Sequence, residues 1–107
     1  MIIVEEYITI DGKSPFADWF NSLDAHAANK VNVYLTRIEQ GNCSNLKPIN
    51  GAFQEVIIDW GPGYRVYIGK DGDKLIILLG GGTKKRQQKD IDHAYLLWDE
   101  YKRRKKG

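Results

Sequence analysis

From Ala52 onward the apolar residues follow the period of strands, and two turn signals cut this stretch into three pieces. No other feature of the chain restricts its fold as much. The pieces are Phe53 to Asp59, Tyr64 to Gly69 and Lys74 to Leu79, separated by Gly61-Pro62-Gly63 and Asp71-Gly72-Asp73. Both separators have hairpin chemistry, so an antiparallel meander is expected. Leu75 to Leu79 is apolar throughout, which predicts an interior strand. Gly80-Gly81-Gly82 then reads as a tight turn from strand to helix.

The flanks have other periods. Ile2 to Ile10 is rich in β-branched and aromatic residues and closes at Asp11-Gly12, predicting a first strand. Ser14 before Pro15 is a helix N-cap followed by the proline tolerated at the first helical position, and Phe16, Trp19, Phe20 and Leu23 share one face. Asp24 is placed to cap a second helix, with Ala27, Val31, Tyr34, Leu35 and Ile38 on its apolar side and Gly41 as C-terminal cap. After the meander, Ile91, Ala94, Tyr95, Trp98 and Tyr101 return to helical spacing. The expected architecture is α+β, in the order β-α-α-β-β-β-α: a mostly antiparallel sheet, two N-terminal helices on one face, and a C-terminal helix.

The 107 residues, 42% of them hydrophobic, suit one core, so residues 1–107 are read as a single domain. One cysteine, Cys43, allows no internal disulfide and fits a reducing compartment. No apolar run approaches the roughly 20 residues that cross a bilayer, and the start of the chain lacks the pattern of a signal peptide. A cytoplasmic protein without membrane contact is expected. Net charge is a mild +2 but segregated: residues 1–50 sum to −2 and residues 51–107 to +4, making the second half the candidate anion-binding face.

Most catalytic chemistries lack their residues. His26, His93 and Cys43 are isolated in sequence, so neither a zinc nor a two-metal site is expected. There is no Gly-x-Ser-x-Gly turn, no phosphate loop ending in Gly-Lys-Ser/Thr and no dinucleotide fingerprint, and no cofactor is expected. Two cationic segments remain. Arg65 stands between Tyr64 and Tyr67 on a strand, where it must reach solvent, a ligand, or a carboxylate such as Glu55 or Asp59 across the hairpin. Lys84, Lys85 and Arg86 precede the last helix, where positive charge opposes the macrodipole unless an anion occupies the site. The cations Lys102 to Lys106 lie at the opposite end, where they complement the dipole.

If Arg65 and Lys84 converge, they can hold one phosphate. RNA can be cut there by its own 2′-hydroxyl, given in-line geometry and cations to stabilise the phosphorane oxygens. A base and an acid are still required, and Lys84, Lys85, Asp90, Tyr64 and Tyr67 are candidates. Tyr67 is also an aromatic on which a base could stack.

The run Glu55-Val-Ile-Ile-Asp-Trp-Gly-Pro-Gly-Tyr-Arg-Val-Tyr-Ile-Gly, followed by Leu78-Leu-Gly-Gly-Gly-Thr-Lys-Lys-Arg-Gln-Gln-Lys-Asp-Ile, resembles the RelE/HigB toxin family, in particular its addiction-module killer-protein branch. Gly41-Asn42 and Lys47-Pro48 extend the similarity upstream. The resemblance implies a RelE-like fold and a toxin of a bacterial toxin–antitoxin pair, a metal-independent mRNA endoribonuclease acting on the ribosome. It also implies a helix-turn-helix antitoxin as partner. By the same resemblance Arg65 matches the arginine that meets the scissile phosphate, Lys84 matches the basic residue after the last strand, and Lys47 matches a further basic position. Asp90 falls near the place of an aromatic residue that some relatives carry. Lys85, Arg86 and Tyr67 complete the expected RNA-binding set. The strand before Gly61 reads Glu-Val-Ile-Ile where this branch commonly has Glu-Leu-Arg-Ile, so Ile57 stands in place of a cation. That departure favours an alternative, a non-catalytic module that binds RNA, the ribosome or a protein partner.

Overall fold

Capping and periodicity account for the helices of the computed structural model, which describes residues 1–107. Helix α1 (Pro15–Asn21) starts where Ser14 Oγ accepts the amide of Ala17 at 3.0 Å. Helix α2 (Ala25–Glu39) starts where Asp24 Oδ1 accepts the amide of Ala27 at 2.9 Å. Each cap satisfies an amide that the first turn leaves free. Helix α2 ends as expected, with the Gly41 amide bonded to Ile38 O and the Asn42 amide to Arg37 O, the paired bonds of a Schellman motif.

The strands are β1 (Ile3–Glu6), β2 (Leu46–Asn50), β3 (Phe53–Ile58), β4 (Tyr64–Asp71) and β5 (Leu75–Thr83). A 3-10 turn at Lys84–Arg86 leads into α3 (Gln87–Lys106). The sheet order is β1-β5-β4-β3-β2, antiparallel except for β1, which pairs parallel with β5. The fold is therefore α+β, with a mixed five-stranded sheet. Burial of β5 between β1 and β4 explains its unbroken apolar run.

Four local expectations need correction. Strand β2 lies in a segment read as loop: Pro48 interrupts its pattern, and a register shift between Pro48 and Asn50 breaks its ladder, both of which an edge strand tolerates. The first strand covers Ile3–Glu6, not Ile2 to Ile10, and its Ile10 is exposed. Gly80-Gly81-Gly82 is no turn but lies within β5, which runs on to Thr83. On α3 the buried stripe runs through Ala94, Leu97 and Trp98, whereas Tyr95 is 40% exposed.

Two cores form, one on each face of the sheet. Helices α1 and α2 cover Val56, Ile58, Val66, Ile68, Ile76 and Leu78. Helix α3 covers Phe53, Tyr67, Ile77 and Leu79 with Ala94, Leu97 and Trp98. No helix is long and apolar enough to cross a membrane.

Candidate functional site

Strand register brings the site residues together. Across β2, β3, β4 and β5, Lys47, Glu55, Tyr67 and Gly80 stand in one row, and Ile57, Arg65 and Gly82 in the next. Side chains alternate along a strand, so both rows belong to the face that carries α3. Beyond the second row the Lys84 amide donates to Gly63 O at 2.9 Å. Lys84 thus leaves the sheet beside the start of β4, diagonal to Arg65, with their backbones about 7–8 Å apart for that geometry.

A bulge shapes the floor. Tyr67 pairs with Gly80 and Ile68 with Leu78, leaving Leu79 as an extra residue. Leu79 and Gly80 consequently face the same side, and the following alternation gives Gly81 to the α1 face and Gly82 to the α3 face. Each of the last two glycines accommodates a close neighbour that a side chain would displace: the Trp19 ring over Gly81 and the Asp90 carboxyl over Gly82. This is the physical reason for the glycine cluster. Bulges of this kind often re-aim residues beside functional sites.

Arg65 and Glu55 form an ion pair, Nε to Oε1 3.2 Å, with side chains 13% and 10% exposed. Of the two acids weighed across the hairpin, the partner is Glu55; Asp59 is exposed beyond β3. The Nε–H lacks a well-aligned acceptor despite this closeness, so the contact is ionic rather than a good hydrogen bond. Nη1 donates to Tyr64 O at 3.3 Å, and Gln87 Nε2 donates to Glu55 Oε1 at 3.5 Å. A guanidinium carries five N–H donors, so Arg65 retains capacity for an anion while Glu55 fixes one of its edges.

Asp90 also belongs here. Burial lifts its carboxyl above the usual carboxylate range, partly opposed by the charges of Arg86 and His93. Desolvation is the larger influence, so Asp90 holds its proton more firmly than a free carboxyl. Tyr67 is wholly buried, and its Oη has no hydrogen-bond partner. Burial first, then the Glu55 and Asp90 charges, raise its phenol pKa, so it remains neutral. Such an orphan polar group costs about 1–3 kcal/mol.

The structure therefore brings Arg65, Lys84 and Asp90 to one end of the sheet and adds Lys47, exposed in line with Glu55, through the unforeseen strand β2. Lys85 and Arg86 are exposed in the 3-10 turn at the same end. Neither Thr83 nor Arg86 supplies a side-chain cap, so cations and uncapped amides stay together at the start of α3. The reading of Tyr67 as a base-stacking residue is corrected: α3 seals β4 at Tyr67 but leaves Arg65 at its margin, and a ring with no exposed surface cannot meet a base. Tyr64 is buried on the opposite face, and its ring is likewise withdrawn from the site.

Sequence reasoning weighed Glu55 only as a possible ion-pair partner and missed it as a component of the site. The signal was its register opposite the Tyr-Arg strand. Lys47 and Ile57 also border a depression of about 430 Å3, with Asn45 and Asp59 on its rim. No three His, Cys, Asp or Glu side chains gather into a group that could hold a metal ion.

No protein-family model matches the chain. Over 86 residues it is 41% identical to a protein of Haemophilus influenzae described as an uncharacterized protein, an alignment that covers 79% of this chain and 87% of that one. Similarity at this level and over this span means a shared fold and common descent, so the chain belongs to the family of that Haemophilus protein.

Proposed function

We propose that the protein is a toxin of a bacterial toxin–antitoxin pair, of RelE/HigB type, that cuts mRNA without a metal ion. The observation that carries this reading is the convergence of Arg65 and Lys84 at one end of the sheet, beside the buried carboxyl of Glu55 and the half-buried one of Asp90. In this mechanism the scissile phosphate sits against the free edge of the Arg65 guanidinium and the Lys84 ammonium, which stabilise charge on the phosphorane oxygens. The 2′-oxygen attacks phosphorus and the bond to O5′ breaks, leaving a 2′,3′-cyclic phosphate and a 5′-hydroxyl. Glu55 takes the proton of the 2′-hydroxyl, and Asp90, the carboxyl whose pKa desolvation raises, serves in its acid form and gives a proton to the departing O5′. Lys47, Lys85 and Arg86 hold flanking phosphates. A cytoplasmic helix-turn-helix antitoxin covers these cations until it is lost, and the ribosome presents the message.

Expression without an antitoxin tests the reading: growth should stop, and RNA fragments with 2′,3′-cyclic phosphate ends should accumulate. Lys84→Gln should relieve both. That variant is cleaner than Arg65→Ala, because Lys84 is exposed and removing it strands no buried charge. Intact RNA in arrested cells would refute the nuclease. It would favour the second reading, a non-catalytic binding module, for which half-buried Ile57 in the row of Arg65 is the supporting observation.

A further inference from the structure

The two edges of the sheet are built differently. Edge strand β2 carries Lys47, Pro48 and a register shift after Pro48, devices that keep a further strand from pairing. Edge strand β1 has no proline, lysine or bulge. The Ile3 and Tyr7 amides donate to Lys74 O at 2.7 Å and Leu78 O at 2.9 Å. Alternation therefore turns the amides and carbonyls of Val4 and Glu6 outward, where no strand lies.

Beside this open backbone, on the α3 face, lies a groove of about 480 Å3 bordered by Glu5 and Tyr7 on one side and by Tyr101 and Arg104 on the other, over Leu75 and Ile77. Helix α3 packs on β4 and β5, which leaves Ile3 of β1 57% exposed beside Leu75, its partner in register. The cations of the far side are already engaged. Lys105 Nζ lies 2.6 Å from both Asp71 oxygens, and Arg104 donates to Ile8 O at 2.6 Å and to the Tyr7 hydroxyl at 3.0 Å. The acids of β1 are not engaged. Glu5 and Glu6 are exposed on opposite faces of the strand, and neither has a cation within ion-pairing distance.

An added strand places its residues directly opposite Ile3, Val4, Glu5 and Glu6, where opposite charges attract and like charges repel. This disfavours a second copy of the chain: antiparallel pairing through the Val4 and Glu6 backbones sets Glu5 against its own counterpart. We propose that β1 is a docking edge for an extended, basic segment of a partner protein, which extends the sheet by one strand. In antiparallel register that segment reads two basic residues followed by two apolar ones. The cations meet Glu6 and Glu5, and the apolar side chains meet Val4 and Ile3. The proposal is independent of the nuclease reading, since neither the edge nor the groove shares a residue with the Arg65 site.

The test measures, by fluorescence anisotropy, binding of the full chain to a labelled, end-blocked peptide Thr-Thr-Lys-Arg-Val-Val-Thr-Thr and to its counterpart with Glu-Glu in place of Lys-Arg. The basic peptide should bind, less tightly as salt is added, and the acidic one should not. Glu5→Lys combined with Glu6→Lys should weaken the basic peptide about tenfold and let the acidic peptide bind. Glu6→Pro removes an outward amide that β5 does not use, so the variant should fold and lose the peptide. N-methylation of alternate peptide residues makes the same deletion from the other side, and it should abolish binding to the natural chain. Failure of the basic peptide to bind, or binding that survives both the charge exchange and the N-methylation, would overturn the proposal. A concentration-dependent dimer of the natural chain that Glu6→Pro abolishes would assign the edge to a second copy and overturn it too. None of these readings depends on whether RNA is cut.

Discussion

Gly82→Ala isolates the contact that seats Asp90. A Cβ at position 82 would lie 2.7 Å from the Asp90 carboxyl carbon, and nearer still to one of its oxygens. Carbon atoms pack at about 3.5–4.0 Å, so the carboxyl must withdraw by ~1 Å. Overpacking of this kind costs about 1–3 kcal/mol. Alanine offsets about 0.5–1 kcal/mol of it, because a strand glycine loses more chain entropy on folding. A net destabilisation of up to about 2.5 kcal/mol is expected in a urea titration of the single variant. Asp90→Ala removes the obstruction, so in that background Gly82→Ala should stabilise by about 0.5–1 kcal/mol. The coupling energy of the double-mutant cycle should then equal the overpacking cost. Cleavage should fall by about 10²-fold in Gly82→Ala, the usual consequence of displacing a reacting group by 1 Å. Additive effects on stability would show that Asp90 does not rest on Gly82, and unimpaired cleavage would show that its position is irrelevant to chemistry.

Further expectations concern the buried charges and the isoleucine beside them. Arg65→Met should cost about 3–5 kcal/mol, because Glu55 stays buried without its counter-charge, and adding Glu55→Gln should recover most of that loss in the same urea titration. Asp90→Asn should be more stable than the natural chain at neutral pH. A carboxyl whose folded pKa is raised contributes its stability below the ordinary value of 3.8 and loses it as pH climbs through the raised one. The gap between the two unfolding midpoints should therefore widen from acid to neutral pH, and a constant gap would contradict the desolvation of Asp90. Ile57→Arg places a cation in the row of Arg65 and should steepen the salt dependence of RNA binding by about 0.7. An unchanged slope would place bound RNA away from this row.

Elements specified by local chemistry were legible in the residues: the capped starts of α1 and α2, the Gly41 stop, and the hairpins that pair β3, β4 and β5. What depended on distant partners was not. The parallel pairing of β1 with β5 is a contact between segments some seventy residues apart, with no local signal. Strand β2 owes its existence to the open edge of β3, which accepts even a segment interrupted by Pro48. Gly81 and Gly82 look like a turn because their purpose, room for Trp19 and Asp90, lies in residues elsewhere in the chain. The same division runs through the site. Adjacent strands joined by hairpins bring Arg65 and Lys84 close whatever else the fold does. The burial of Tyr67 depends on how far α3 reaches over β4, which no spacing encodes.

In the proposed mechanism an RNA 2′-hydroxyl does the cutting while side chains of this cleft stabilise and position the phosphate. It is tested most directly by replacing the single ribose at a mapped cleavage position with its 2′-deoxy counterpart and repeating the digestion in a metal chelator. Cleavage should vanish at that position and persist at unmodified sites in the same molecule. A cut that survives at the deoxy position would rule out the 2′-hydroxyl as nucleophile.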